Sequence, residues 1–282
     1  MIIEISNECL AAEINSYGAE LHSLVKKDIG REYIWYGKEE IWSGRSPLLF
    51  PIIGRVLDDE YTLDGKIYTL KKHGFARRNE FSAEKLSESK AEFTFRETHE
   101  TLENYPYRFE MKVTFELVGN TVSVTHTVKN TNEREMYFSF GAHPAFNAEK
   151  DVKIVFDEAE TLATIKVDEE GLRTGKEEIC LENTRELPID EKTFLEDALI
   201  FENVKSNGGC LYEGGKKLLH FEWGNAPFLG FWAKPGAPYV CIEPWFGVND
   251  SHEKKDDFSK KDGIQKLLPG DMFSYRWSAE IF

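Results

Sequence analysis

The sequence of 282 residues contains no stretch of about 18 consecutive apolar residues, which excludes a helix that spans a membrane. Its N-terminal residues contain neither a basic segment nor a long apolar core, so we expect no signal peptide and a cytoplasmic location. Cysteine is also scarce. The four cysteines lie far apart without a C-x-x-C pair, so we expect reduced thiols; they are Cys9, Cys180, Cys210 and Cys241.

Positive charge is in short supply as well. The chain has 35 lysines and arginines against 50 aspartates and glutamates, which gives a formal net charge of -15. A protein of this charge repels phosphates, so we expect no nucleic-acid partner. The seven histidines are scattered and form neither H-E-x-x-H nor H-x-H, so the sequence predicts no metal site.

Aromatic residues, in contrast, are abundant at 13% of the chain, and hydrophobic residues reach 41%. This content is enough to fill a sizeable core, and aromatic residues favour strands. Aromatic rings also stack on the apolar faces of sugar rings. Core filling accounts for most of them, but the composition is compatible with sugar binding.

Strand patterns dominate the sequence. The clearest hairpin reads RFEMKVTFELVGNTVSVTHTVKNT, in which two alternating runs flank Gly119-Asn120. A second hairpin, YTLDGKIYTL, turns at Asp64-Gly65. Helical periodicity is rare, and the best candidate is PIDEKTFLED, where Asp190 would cap a short helix after Pro188. The pattern predicts an all-β fold, a large sandwich of antiparallel sheets with few short helices, in a single domain over residues 1–282.

Two segments with basic residues interrupt the alternation. The segment WSGRSPLLFPIIGRV should be a rigid loop or an edge strand, because its prolines cannot donate to a central ladder. Arg45 and Arg55 lie at its ends and could bind sugar hydroxyls or a phosphate, or could simply face solvent. The segment KKHGFARR places His73 and Arg77 in a basic run that could hold an anion or form a solvated loop.

Two further segments contain candidate catalytic groups. In SFGAHPAFN, His143 precedes a proline that ends strand pairing, so the imidazole should lie at a strand end. In PYVCIEPWFGVND, Glu243 lies within an apolar run, where partial burial would raise its pKa towards that of a general base. Each could instead be structural. His126 shares a face with buried valines, and we expect it to be a packed core residue.

Five motifs, taken in order, carry a family likeness: Gly54-Arg55-Val56, Leu63 to Leu70, His73-Gly74-Phe75, His143 to Asn147, and Ile242 to Trp245. The order resembles the aldose 1-epimerase, or galactose mutarotase, family, and in particular its bacterial LacX-like branch. The resemblance extends from the first strand to the last. It implies the galactose mutarotase-like supersandwich fold.

The resemblance also implies roles for individual residues. His143 matches the general acid of the family and Glu243 its general base, while His73 and Arg55 match positions that bind substrate. Asp197 matches an aspartate that binds sugar hydroxyls. The predicted activity is the exchange of α and β anomers of an aldose, without cofactor or metal.

Two departures from the galactose mutarotases fall in the expected pocket. The family usually has H-G-G where this chain has His73-Gly74-Phe75, and H-x-Y-F-N where it has His143 to Asn147. Specificity for galactose or glucose therefore cannot be carried over. The segments RSPLLFP and HGFAR also resemble hexose-6-phosphate mutarotases, in which arginines hold the phosphate; Arg45, Arg77 and Arg78 would have this role here.

In the predicted mechanism, an ionised Glu243 removes the proton from the C1 hydroxyl and a protonated His143 protonates the ring oxygen. Neighbouring carboxylates would keep the imidazole charged. Two other functions stay open. A glycoside hydrolase would need a second carboxylate, for which Asp197 is the candidate. A non-catalytic sugar-binding protein would bind sugar without exchanging its anomers.

Overall fold

The computed structural model describes residues 1–253 and 255–282, and the alternating segments of the sequence form antiparallel strands in it. In chain order the first strands are β1 (Ile2–Ser6), β2 (Leu10–Asn15), β3 (Glu20–Lys26), β4 (Arg31–Glu32), β5 (Leu48–Leu49), β6 (Glu60–Leu63), β7 (Lys66–Thr69), β8 (Ser82–Ser87), β9 (Lys90–Arg96), β10 (Phe109–Val118), β11 (Thr121–Asn130) and β12 (Met136–Phe138). They continue with β13 (Phe140–Ala142), β14 (Ala145–Asn147), β15 (Val152–Val167), β16 (Arg173–Ile189), β17 (Leu199–Glu202), β18 (Gly208–Glu213), β19 (Lys216–Glu222), β20 (Phe228–Trp232), β21 (Tyr239–Phe246), β22 (Gln265–Leu267) and β23 (Met272–Ile281).

Helical structure is confined to short segments. The α-helix α1 covers His99–Asn104, and its N-terminus is held by a capping box between Thr98 and Thr101. Single 3-10 turns cover Leu57–Asp59, Ala76–Arg78 and Phe258–Lys260. No helix among the described residues is long and apolar enough to cross a membrane, and the cytoplasmic location stays a prediction.

Two large sheets form the body of the fold. One has nine strands in the order β16-β15-β18-β19-β23-β11-β10-β9-β8. The other follows the path β17-β20-β21-β13-β5, with β14 paired to β21 beside β13. A four-stranded sheet, β1-β2-β3-β4, lies beside them. The all-β fold with antiparallel sheets that the sequence predicts is confirmed.

One hydrophobic core joins these sheets. It contains Ile14 from the four-stranded sheet, Phe109 and Trp277 from the nine-stranded sheet, and Phe231 from the six-stranded sheet, all at most 2% exposed. A core shared between sheets is what an alternating pattern with one apolar face requires. The prediction of a single domain over residues 1–282 stays a prediction, and this shared core supports it.

The predicted hairpins are confirmed, but the predicted helix is wrong. Strands β10 and β11 pair around Gly119-Asn120, and β6 and β7 pair around Asp64-Gly65. Strand β16 continues through Pro188 to Ile189, and the residues after it form turns. The Asp190 side chain accepts hydrogen bonds from the backbone N–H groups of Lys192 and Thr193, so it closes a local turn and does not cap a helix.

The proline-flanked segment also behaves as predicted. Strand β5 has only two residues, Leu48 and Leu49, and it forms an edge of the six-stranded sheet beside β13. Pro47 and Pro51 lie outside its ladder, because proline has no N–H to donate. The chain then turns towards Gly54, which lies next to the candidate site described below.

Candidate active site

A cleft of about 250 Å³ opens beside the six-stranded sheet. Its charged and hydrogen-bonding lining consists of Lys72, His73, Arg77, His143, Asp197, Glu243 and Asn249. Its aromatic lining consists of Trp42, Trp232 and Trp245. Acidic, basic and aromatic groups around a space of this size suit a small polar ligand with apolar faces.

Strand pairing explains why His143 and Glu243 meet. Strands β13 and β14 both pair with β21, and they do so in one continuous register, with Gly141 opposite Trp245 and Ala145 opposite Cys241. His143 lies between these two strands, so the same register places it opposite Glu243. Pro144 interrupts the pairing and keeps the imidazole at a break in the ladder, as the sequence indicates.

The two side chains are in direct contact. The distance from His143 Nε2 to Glu243 Oε1 is 3.2 Å. Both residues are buried, His143 at 8% and Glu243 at 1% exposure. His143 Nδ1 and Glu243 Oε2 have no hydrogen-bond partner among the described residues, so each retains capacity for a ligand or a water molecule.

Burial opposes the charge states predicted from the sequence. Desolvation lowers the pKa of His143 to about 3, and the positive charges of Arg77 and Lys72 act in the same direction. Desolvation also raises the pKa of Glu243 well above its usual value, and Asp197 adds to the effect. The expectation that neighbouring carboxylates keep His143 charged is therefore not met. Burial favours the neutral form of each group. Both groups are neutral when the one proton that they share lies on the Glu243 carboxyl group.

Tryptophan side chains surround the imidazole. The Trp42 ring stacks on His143 with 5.1 Å between centroids, and Trp232 meets the same imidazole edge to face at 5.9 Å. The Trp42 ring also stacks on Tyr239, and its carbonyl accepts a hydrogen bond from Trp35. These contacts fix the aromatic wall of the cleft. Trp42 and Trp232 were not predicted from the sequence, where the high aromatic content was the only indication of them.

His73 reaches the cleft from the basic loop, as predicted. Its Nδ1 accepts a hydrogen bond of 3.1 Å from the backbone N–H of Gly54. A neutral imidazole with an accepting Nδ1 carries its proton on Nε2. Burial, together with Arg77, keeps the pKa of His73 well below its usual value, so the ring stays neutral. It therefore offers one defined N–H donor.

Arg77 and Lys72 form the basic side of the cleft. Arg77 donates to the carbonyl oxygen of Lys72 at 3.2 Å, while its buried Nε has no partner among the described residues. Burial lowers the pKa of Arg77 to about 10, and Arg78 contributes to this decrease. Arg77 was predicted from the basic run. Lys72 lies in the same run but was not singled out.

Asp197 also lines the cleft, opposite in charge to the basic side. Its φ of 99° lies in a region that residues other than glycine rarely adopt, and its Oδ1 accepts a hydrogen bond from the Ala198 N–H. Such backbone strain clusters at functional positions. Its predicted role in binding hydroxyls stays a prediction.

Arg45 and Arg55, predicted to bind substrate, are not among the described residues that line the cleft. Arg45 donates instead to the carbonyl oxygen of His22 at 2.7 Å. Arg55 pairs with Asp59 at 3.4 Å near the surface. Both guanidinium groups therefore make contacts outside the cleft lining, and of this segment it is the Gly54 backbone that bonds to His73.

Asn249 and Trp245 also line the cleft, and neither was predicted from the sequence to have a role there. Asn249 follows Glu243 by six residues, just beyond the end of β21. The amide donates through Nδ2 to the Gly171 carbonyl at 2.7 Å. An amide close behind a buried carboxylate in the chain is the signal that could have identified it.

Among the described residues, His143, Cys241 and Glu243 form a group whose potential metal-ligating atoms lie within 4.8 Å of one another. Desolvation raises the pKa of the Cys241 thiol well above its usual value. The thiol is therefore protonated in the metal-free protein. His126 lies elsewhere, packed against Phe140, as expected of a core residue.

Comparisons with known proteins identify the family of this chain. The family model for aldose 1-epimerase matches residues 1–278. The chromosomal LacX protein of Lactococcus lactis subsp. lactis is 32% identical over an alignment of 288 positions, which covers 96% of each chain.

Solved structures give the same result. A galactose mutarotase-like protein from Lactobacillus casei superposes with a TM-score of 0.95 at 29% identity, covering 100% of both chains. A galactose mutarotase related enzyme from Lactobacillus acidophilus has a TM-score of 0.94 at 31% identity, covering 100% of this chain and 97% of the other. With the family model matched over nearly its whole length, this chain belongs to the aldose 1-epimerase family, whose members are isomerases acting on small sugars.

Proposed function

We propose that this protein exchanges the α and β anomers of an aldose, with Glu243 and His143 as the proton-transfer pair. The observation that carries the proposal is their 3.2 Å contact, buried at a cleft of about 250 Å³. A free pyranose needs one group to take a proton from the C1 hydroxyl and one to give a proton to the ring oxygen O5. When His143 and Glu243 share a single proton, the member that holds it can act as the donor and the other member can act as the acceptor.

The reaction follows from this pairing. Glu243 takes the proton from the C1 hydroxyl while His143 donates a proton to O5, and the C1–O5 bond breaks to give an open-chain aldehyde. Rotation about C1–C2 presents the opposite face of the carbonyl to O5. O5 then attacks C1, His143 takes its proton back, and Glu243 returns a proton to the new C1 hydroxyl. No proton is gained or lost overall.

Transfer of the shared proton between Oε1 and Nε2 links the neutral pair to the charged pair that this mechanism uses. Both forms have the same net charge, so their interconversion needs no proton from solvent. Hydroxyl groups of a bound sugar would replace some of the lost hydration and reduce the penalty that burial places on the charged form. The neutral histidine at rest is therefore compatible with catalysis.

Substitution of the pair tests the proposal. We expect Glu243→Gln and His143→Asn each to lower the rate of anomer exchange by about 10²- to 10⁴-fold, the usual contribution of one acid or base, while the protein stays folded. The assay is polarimetry of freshly dissolved α-glucose and α-galactose, corrected for the uncatalysed rate. His220→Asn is the matched control, since His220 pairs with Asp157 on the other large sheet. Near-wild-type rates in either site variant would contradict the assigned roles.

A sugar phosphate is the second candidate substrate, and Lys72 and Arg77 in the cleft lining favour it. Arg77 Nε has no partner in the part of the chain that the structure describes, and Lys72 is exposed at the cleft, so both are available to an anionic substituent.

Magnetization-transfer NMR with glucose, galactose and glucose 6-phosphate would compare the candidate substrates directly. If the phosphate is the substrate, we expect Lys72→Met to raise KM for glucose 6-phosphate by about ten-fold, with little change for glucose. Lys71→Met is the matched control, because Lys71 is an exposed neighbour outside the described lining. Equal kcat/KM for glucose and its phosphate in the wild type would reject this candidate.

A further inference from the structure

Asn249 lines the cleft, and its amide contains a buried acceptor atom. Asn249 is 6% exposed, and its Nδ2 donates to the carbonyl oxygen of Gly171 at 2.7 Å. Its Oδ1 has no hydrogen-bond partner among the described residues. The bond to Gly171 also fixes the orientation of the amide, because a flipped side chain would bring two carbonyl oxygens together. The oriented amide therefore has one atom without a partner among the described residues, Oδ1, and that atom can only accept a hydrogen bond.

The backbone of Gly54 holds this amide beside His73. A Cβ atom at Gly54 would lie 2.3 Å from the Asn249 amide, so the amide occupies the space that a side chain would fill. The N–H of the same glycine donates to His73 Nδ1. Gly54 thus packs against the Asn249 amide and orients the His73 imidazole, so this wall of the cleft combines an acceptor oxygen that has no partner among the described residues with an N–H donor.

An acceptor-only group selects its partner by chemistry. A sugar hydroxyl has a proton to donate to Asn249 Oδ1. An ionised phosphate or carboxylate has none, and its negative oxygens would face the amide oxygen. A ring position without a hydroxyl would leave Oδ1 buried and unpaired, which is unfavourable. Asn249 Oδ1 itself therefore favours an uncharged hydroxyl over an anionic oxygen or a deoxy position, while Lys72 and Arg77 are the groups that would bind an anion elsewhere in the cleft.

We propose that Asn249 is a specificity-determining residue that accepts a hydrogen bond from one uncharged hydroxyl of the aldose. The proposal rests on the proposed function, because it concerns the same substrate in the same cleft. It adds a requirement that the proton-transfer pair does not impose, namely a hydroxyl at a position of the sugar other than C1.

A series of monodeoxy sugars tests this requirement. Anomer exchange would be measured by magnetization-transfer NMR for the better of glucose and galactose and for its 2-, 3-, 4- and 6-deoxy forms, after subtraction of uncatalysed rates. With the wild type, we expect kcat/KM to fall by about 10- to 100-fold for the deoxy sugar that lacks the partner of Asn249. Asn249→Ala should show a similar loss with the parent sugar and no further loss with that deoxy sugar.

Two more variants separate binding from structural damage. Asn249→Asp keeps an acceptor atom, and in its protonated form its O–H can replace the Nδ2–H that donates to Gly171, so at low pH it should retain most of the wild-type discrimination although it is less stable. Asn7→Ala removes a comparable bond, from an amide Nδ2 to the Gly119 carbonyl, away from the cleft, and should leave the deoxy pattern unchanged. If Asn249→Ala loses the same factor with the parent and with every deoxy sugar, the proposal is overturned. If the wild type exchanges none of these sugars, the proposed function itself fails.

Discussion

Two opposing influences determine where the proton shared by His143 and Glu243 lies. Their 3.2 Å contact favours opposite charges, while the burial of both residues favours neutral groups. Because only one proton is involved, the pair can respond to a ligand without exchanging protons with solvent. A carboxylate in an apolar segment was readable from the sequence, but the depth of its burial was not.

Gly54 packs against the Asn249 amide and donates its backbone N–H to His73, and both of these residues line the same cleft as the pair. It has a φ of 61°, and an added Cβ would lie 2.3 Å from the Asn249 amide. We expect Gly54→Ala to lower the free energy of unfolding by about 1–3 kcal/mol and to reduce kcat/KM, because the chain would be strained and the amide displaced. Urea denaturation and the exchange assay would measure the two effects.

The hairpin glycine Gly65 supplies a matched control. Its φ is 73°, and an added Cβ would meet nothing within 4 Å. Gly65→Ala should therefore show the backbone cost alone, with exchange kinetics unchanged. If Gly54→Ala has kinetics as close to wild type as Gly65→Ala, then the position of the Asn249 amide does not matter for activity.

At the scale of elements, β21 organises the site. Each of its residues is buried, and it lies between β20 on one side and the β13 and β14 pair on the other. This central position explains why its sequence is nearly continuous in apolar residues. A polar residue such as Glu243 can persist in it only where a neighbouring strand is interrupted, and the break at His143-Pro144 is such a place.

The close approach of β13 to β21 makes a prediction about this sheet. A Cβ at Gly141 would lie 2.8 Å from the Trp245 ring and 3.2 Å from Leu49. We expect Gly141→Ala to cost about 1–3 kcal/mol of stability and to raise KM, because Trp245 lines the cleft. Gly209→Ala, in β18 of the nine-stranded sheet, is the control, because a Cβ at Gly209 would lie 2.8 Å from Trp223. A similar loss of stability without a change in KM is expected there, and equal KM changes in both variants would argue against a specific role for Trp245.

At the scale of the whole molecule, buried neutral histidines link stability to pH. His126 is 1% exposed in the nine-stranded sheet, and desolvation lowers its pKa to about 3. In the unfolded chain its pKa returns to about 6.5, so the unfolded state binds more protons between these values. The contribution of His126 to stability is therefore complete above pH 6.5 and decreases as the pH falls towards 3.

Replacing this histidine should make the fold less sensitive to acid. Over the range from pH 6.5 to pH 4, we expect His126→Leu to reduce the slope of unfolding free energy against pH by up to about 1.4 kcal/mol per pH unit, the value for one proton. Urea denaturation at several pH values would measure the slope. His99→Leu, on the exposed face of α1, should leave it unchanged, since that side chain is 91% exposed. An unaltered slope in His126→Leu would mean that His126 is not the group that titrates.

The strands, the hairpins at Gly119-Asn120 and Asp64-Gly65, and the family were all readable from the amino-acid sequence alone, because alternation and turn residues act over a few positions. It also indicated His143 and Glu243, since a proline after a strand and a carboxylate in an apolar run are local features. The predicted helix after Pro188 failed because pairing with β15 extended the strand.

Which side chains share the cleft depends on how the strands pack in three dimensions. It brought Asn249, Trp42 and Lys72 to the site and engaged Arg45 and Arg55 elsewhere, although both arginines lie in motifs of the right order. The direction of a long side chain and the charge state of a buried pair depend on contacts between residues distant in sequence. No local pattern encodes those contacts, which arise only when the strands pair and pack.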